Sequence, residues 1–481
     1  MSVTVYPTGT TIYNPEKAWS GFTILSTMDG NARLICMNGG EVKNWKGFGG
    51  FPNKVLPGGF LLGSTGVRNK KYGFQDQFDL VQVDWEGNVV WKFDGHEYIS
   101  DPSEEPRWMA RQHHDYQRDG NPVGYYAPGM EPRVDGGNTI ILCHRNVNKP
   151  SISGKQLLDD VIVEVSWEGE KVWEWQCSDH FDELGFTKSA KRVLARHTNM
   201  LNIGEGFGDW MHLNSTSKLG PNRWYDTGDT RFHPENLIWS SRQSNILAIV
   251  DRKSGKIVWK TGPDYNTKVL RKLGQIIGPH LAHMIPRGLP GEGNILVFDN
   301  GGWAGYGAPN PGSRSGVNNA VRDFSRVLEF NPVTLEIVWQ YTAKEAGFIT
   351  PIYGSKFYSS IVSAAQRLPN GNTLITEGIE GRIFEVTKEH EIVWEYVNPH
   401  FGEFSNLVYR AYRLPYEWAP QAGKPSERAI HRADIRQLRV GVSGEGSTGV
   451  TEEGIEPMVE FDTQFCVLPT DKPKKGALRP C

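Results

Sequence analysis

The 481-residue chain is long enough for two or three ordinary domains or one large repeat-built domain, and it can bury a core without disulfide or metal staples. A formal net charge of −3, with 38% hydrophobic and 22% charged residues, is ordinary for a soluble globular protein and argues against nucleic-acid and membrane-surface partners. Five cysteines without a CxxC spacing exclude a disulfide framework and a zinc ribbon.

In chain order, the opening MSVTVYPTGTT has neither a basic start nor an apolar core. No run of 18 apolar residues follows, so a cytoplasmic location with no membrane span is expected. Next comes a signature that occurs six times: a turn carrying Gly or a charged pair, two or three β-branched residues, then Trp. It reads GGEVKNW to Trp45, WEGNVVW to Trp91, WEGEKVW to Trp173, KSGKIVW to Trp259, VTLEIVW to Trp339 and KEHEIVW to Trp394. Five copies follow a second short strand (FDLVQVD, DVIVEVS, NILAIVD, SRVLEF, GRIFEV), so each pair forms a hairpin. A further strand lies upstream in PGGFLLGS, GGNTIILCH, EGNILVFDN and NGNTLITEG. Three to four strands repeated six times define an all-β, six-bladed β-propeller over residues 1–415.

The tryptophans are 46, 82, 86, 80 and 55 residues apart, whereas a bare blade needs about 40–50 residues. The middle blades therefore carry long loop insertions at 95–132, 178–210, 216–232, 262–279 and 301–322, expected to gather on one face as a lid. A helix is expected near 183–195. Residues 416–481 form a polar C-terminal extension, expected to pack on the propeller or strap it closed.

Inner strands converge on the channel, so residues at blade starts share one pocket. Histidines recur there in RQHHDYQR (His113, His114), DWMHLNS (His212) and GPHLAHMIP (His280, His283). The next blade offers Tyr358, Ser359 and Ser360 instead. WSSRQSN puts Arg242 on the strand after His212, a fixed fork of donors suited to a sulfuryl, phosphoryl or carboxylate group. Asp299 and Asn300 end the strand NILVFDN, where they either orient His283 or cap a turn. No GxSxG elbow and no HExxH helix is present.

The run NPEKAWSGFTILSTMDGNARLICMNGGEVKNW, and then DWMHLNS…LIWSSRQSNILAIVDRKSGKIVWKTG with NILVFDNGG and SRVLEF, resembles the bacterial arylsulfotransferases that use no nucleotide sulfate donor. The resemblance spans about residues 12–415. It implies a six-bladed propeller that moves a sulfuryl group from a phenolic sulfate ester to a phenol, ping-pong, through a sulfohistidine and without a cofactor. By position it marks His283 as the nucleophile. It marks His212, Asn214 and Arg242 as holders of the sulfuryl oxygens, and His114 as the remaining pocket histidine. His113, Tyr358, Ser359 and Asp299 are expected around the substrate, a small aromatic molecule, and a homo-oligomer is compatible with the sequence.

Two other readings stay open. Three imidazoles from separate strands, His114, His212 and His283, are a ligand set for one transition metal ion in a lyase, hydrolase or oxidoreductase. A propeller can also serve as a binding module without catalysis.

Overall fold

The computed structural model describes residues 8–198, 208–402 and 405–432. Six blades of four antiparallel strands form a propeller, and the sheets of blades 3 and 6 each carry a fifth strand. Blade 2 is Lys54–Leu56, Phe60–Gly63, Leu80–Val83 and Val89–Phe93. Blade 3 is Gln112–Arg118, Thr139–Val147, Leu157–Val165 and Lys171–Gln176. Blade 4 is Leu213–Lys218, Leu237–Ser241, Ile246–Val250 and Ile257–Thr261. Blade 5 is His280–Met284, Ile295–Asp299, Arg326–Phe330 and Ile337–Tyr341. Blade 6 is Ala364–Arg367, Thr373–Glu377, Arg382–Val386 and Ile392–Val397.

Blade 1 is assembled from both ends of this region. Phe22–Thr27, Asn31–Ile35 and Glu41–Lys46 receive their inner strand from Ala411–Leu414, in the register Phe22↔Leu414 to Leu25↔Ala411. Gly9–Tyr13 crosses over to pair outside the last strand of blade 6. The ring is thus closed twice, and the closing strand lies just upstream of the extension. Within the closing strand, buried Arg413 donates to Thr23 Oγ1 (2.7 Å) and Trp19 O (2.7 Å) and sits 4.4 Å over the Trp394 ring. Residues 416–432 continue as short 3-10 turns around buried Trp418, with Ile430 paired to Tyr13. The rest of the extension, 433–481, lies outside the described residues.

The tryptophan repeat has a physical basis. An outer-strand indole wedges toward the next blade and donates its N–H to that blade's outer turn. The bonds run from Trp91 to Trp167 O (2.7 Å), Trp175 to Gly255 O (2.9 Å) and Trp259 to Pro332 O (2.8 Å). Trp339 to Lys388 O (2.9 Å) and Trp394 to Met37 O (2.8 Å) complete the series. In blade 3 the donor is Trp175, two residues past the expected Trp173, whose ring instead takes the Arg252 guanidinium at 4.2 Å. Trp45 packs edge-on against Trp85 at 5.5 Å. Trp259→Phe keeps the wedge and orphans one carbonyl, so thermal unfolding should report a loss of about 1 kcal/mol.

The expected helix forms as Lys188–Leu194, capped by the Thr187 side chain. The 216–232 insertion begins later than expected, because Leu213–Lys218 is the inner strand of blade 4. Nor do the insertions all share one face. Within 95–132, Tyr125 reaches His283 and packs with Ile285 and Leu289, at the channel end opposite the cavity described below. Among the described residues no helix is long and apolar enough to cross a membrane.

Candidate active site

The inner strands of blades 1, 2 and 6 pair in unbroken register, whereas those of blades 3, 4 and 5 are each bulged. The irregularities fall between Gln112 and Tyr116, Leu213 and Ser215, and His280 and His283. At or beside them the backbone takes left-handed values at non-glycine residues: His114 (φ 60°), His212 (φ 53°) and Leu281 (φ 49°). Such values are costly and concentrate where a side chain must be aimed. Here they turn one imidazole from each of three successive blades into a cavity of about 340 Å³.

That cavity is lined by His114, His212, His280 and Arg242, with an apolar wall that includes Phe51, Phe74, Trp303 and Tyr409. Among the described residues, none that line it is acidic. Trp303 comes from the 301–322 insertion. A Cβ on Gly302 would lie 1.9 Å from Ser360 O, so glycine is what lets this loop lie against blade 6 and deliver the indole. Below the cavity, Asp115 pairs with Lys54 (2.8 Å) and Arg410 (3.3 Å), and Arg410 donates to Asn214 O (2.9 Å). Burial pushes the Lys54 ammonium down to about 8 against the pull of Asp115.

Each cavity imidazole is held from behind. His212 Nδ1 is 2.6 Å from Asp209 Oδ2. Burial pushes the Asp209 carboxyl up, but the charge and hydrogen bond of His212 outweigh it, and the net position is below the ordinary range. The Nδ1 atoms of His114 and His113 are 2.7 Å apart, so one of them donates to the other. Burial, reinforced by the neighbouring imidazoles, holds His114 well below its ordinary value.

His280 Nδ1 lies 2.7 Å from Asn300 Oδ1 and 3.1 Å from Gly278 O. Asn300 is itself oriented, because its Nδ2 donates to Ser359 O (2.7 Å) and Val362 O (2.8 Å). Both partners of Nδ1 are therefore acceptors, which puts the proton on Nδ1 and the lone pair on Nε2. Burial holds His280 well below its ordinary value, against the opposing effect of the hydrogen bond it donates to Asn300. Arg242 is buried, donates to Trp303 O (3.2 Å) and lies 5.5 Å over the Trp303 ring; burial lowers it to about 10, so it stays cationic at neutral pH.

Several expected residues lie elsewhere. His283 does not line the cavity. Its Nδ1 donates to Leu281 O (3.0 Å) and its Nε2 accepts from Tyr125 Oη (2.9 Å), so no lone pair is left for chemistry. Asn214 is wholly buried, donating to Pro279 O (2.7 Å) and accepting from Ser240 Oγ (2.7 Å); it braces blade 4 against blade 5. His113 stands behind His114 rather than in the cavity wall. Asp299 is clamped by Arg322 (2.8 Å) and Arg326 (2.6 Å). Ser359 Oγ donates to Ile361 O (2.9 Å), and half-buried Tyr358 lies off the cavity lining. The trio His114, His212 and His283 is likewise not brought together. His114 and His212 meet with ring centroids 4.5 Å apart, and the third imidazole beside the cavity is His280.

Burial lowers His283 from its ordinary 6.5 to about 4. The unfolded chain therefore takes up this proton before the folded one does. The stability His283 contributes is complete above pH 6.5 and is lost as pH falls toward 4, at about 1.4 kcal/mol per unit. Melting curves at pH 7 and pH 5 should differ by about 2 kcal/mol more for the wild type than for His283→Gln, which cannot titrate.

The pocket is built at the blade starts of a six-bladed propeller and presents three imidazoles and one arginine. The chain belongs to the arylsulfotransferase (ASST) family, whose sequence model matches residues 130–406. Membership supports aryl sulfotransfer in general terms. No curated protein matches the chain. Solved structures similar to it include a protein of unknown function from Bacteroides caccae, at 10% identity and a TM-score of 0.43, covering 82% of this chain and 99% of that one. A streptogramin B lyase matches at 11% identity and a TM-score of 0.35, covering 82% and 85% of the two chains. The virginiamycin B lyase from Staphylococcus aureus matches at 10% and 0.33, covering 82% and 87%.

Proposed function

We propose that the chain moves a sulfuryl group from an aryl sulfate ester to a phenolic acceptor by a ping-pong route, with His280 as the group that becomes sulfated. The observation that carries this reading is the His280 tautomer, since a neutral imidazole with Nδ1–H tied to Asn300 and Gly278 offers its Nε2 lone pair to the cavity.

In the first half-reaction Nε2 forms the N–S bond as the S–O bond to the aryl group breaks. The phenolate leaves and takes a proton from His212, which Asp209 holds in place. In the second half-reaction the acceptor phenol gives its proton to His212, its oxygen attacks sulfur, and the N–S bond breaks to restore His280. Arg242 and His114 serve as preorganised donors to the equatorial sulfuryl oxygens, as such groups do for a transferring phosphoryl group, while the free N–H of His212 is kept for the leaving and entering oxygens. The scheme needs no cofactor. Phe51, Phe74 and Trp303 suit an aromatic ring, and a cavity of about 340 Å³ suits a molecule of one or two rings.

The test is turnover of 4-nitrophenyl sulfate with phenol as acceptor. Nitrophenolate release that rises with phenol concentration and gives parallel double-reciprocal lines supports the reading. Release independent of phenol, or none from any aryl sulfate, rejects it.

A further inference from the structure

Behind the cavity, blade 3 carries a second group of ligating side chains that the sulfuryl-transfer scheme does not use. His113 comes from its inner strand, His144 from the second and Asp160 from the third, where His144 and Asp160 are cross-strand partners. All three are at most 1% exposed. Their His113 Nε2, His144 Nε2 and Asp160 Oδ1 atoms have no hydrogen-bond partner and lie within 4.8 Å of one another. The two nitrogens stand 3.3 and 3.9 Å from the carboxylate oxygen.

Three inward-facing polar atoms without a hydrogen-bond partner in a buried interior are costly and demand an explanation. Every other polar atom of these side chains is engaged. His144 Nδ1 meets Asp76 Oδ1 at 2.6 Å, Asp160 Oδ2 accepts from Leu213 N–H at 3.1 Å, and His113 Nδ1 meets His114 Nδ1 at 2.7 Å. Asp76 is anchored in turn by Arg111 (2.8 Å) and Arg68 (3.1 Å). A carboxylate that holds Nδ1–H of an imidazole, and so frees Nε2 as a lone pair, is the outer support that metal-ligating histidines have.

We propose that His113, His144 and Asp160 bind one divalent transition metal ion within blade 3. Two imidazoles and one carboxylate suit zinc, cobalt, iron(II) or manganese, and exclude the all-oxygen sites of calcium and magnesium. The separations are near the roughly 3.4 Å edge of a tetrahedral site with bonds of about 2.1 Å. The two rings stack 3.5 Å apart at 12°, so binding splays them to bring both lone pairs onto one ion. The ion would tie three strands together and fix His113, which backs the cavity residue His114. None of this depends on the sulfuryl-transfer reading.

The test loads the chelator-stripped, tag-free protein with Co(II) and with Zn(II) and measures bound metal by mass spectrometry, with Co(II) ligand-field absorption as a second readout. One ion per chain is expected, lost in Asp160→Asn and in His144→Gln but retained in His280→Ala and His212→Ala. Asp76→Asn should weaken binding by about 10–100-fold. Should the blade 3 variants fail to fold, the wild-type stoichiometry still decides. Substoichiometric metal in the wild type overturns the proposal. So does an ion that leaves with His212→Ala yet stays in Asp160→Asn or Asp76→Asn, because it would then be a cavity metal.

Discussion

His280→Ala should reduce aryl sulfate turnover by about 10³-fold or more, because it removes the cavity nitrogen whose lone pair forms the N–S bond. The Nε2 lone pair exists because two acceptors, Asn300 Oδ1 and Gly278 O, fix the proton on Nδ1. His114 and His212 stand on other blades, and the scheme assigns them the donor roles, His212 with its Nδ1 held by Asp209 and His114 with its Nδ1 against His113. His283→Ala should leave turnover within about tenfold of wild type, as its ring is spent on Tyr125 and Leu281 and lies off the cavity lining. Steady-state kinetics of the two variants side by side, with circular dichroism to confirm folding, decides between the two histidines. Equal losses would remove His280 from its assigned role.

Arg242→Ala should lower kcat/KM by about 10²–10³-fold, or roughly 3–4 kcal/mol of transition-state stabilisation. The guanidinium is a buried cation at a cavity with no carboxylate among its described lining residues, and burial would make each hydrogen bond to a sulfuryl oxygen stronger than the same bond in water. Its position is set by Trp303 twice over, through the carbonyl it bonds and the ring it overlies. Arg242→Lys should recover little of the loss, since a point charge does not reproduce a planar fork of donors. A loss confined to KM, with kcat unchanged, would mean that Arg242 binds the ground state and transition state alike.

The fold was legible because every blade solves the same packing problem with the same residue. An indole that must wedge against the next blade and reach its turn leaves a periodic mark in the sequence. The closing strand 411–414 leaves no such mark. It lies far along the chain from the three strands it completes and is defined by its partner rather than by its own pattern. Within the site, the histidines at blade starts and Arg242 could be read directly. Which of His280 and His283 faces the cavity could not, because the bulge between them breaks the period-two alternation on which such an assignment depends. Asn300 was visible in the FDNG run, but it serves His280 rather than His283. Asp209 stands three residues before His212 in DWMH, and that spacing was a usable signal. The meeting of His144 with Asp160 follows from strand register alone and has no local signature.

The most direct test of the central claim is to mix the protein with 4-nitrophenyl sulfate without an acceptor, quench, digest, and locate the added sulfuryl group by mass spectrometry. The tryptic peptide that contains His280 also contains His283, so fragment ions must separate the two. The account predicts one sulfuryl group on His280, discharged by subsequent addition of phenol. A sulfuryl group on His283, or no modified histidine in a protein that still turns over aryl sulfate with phenol, would contradict it.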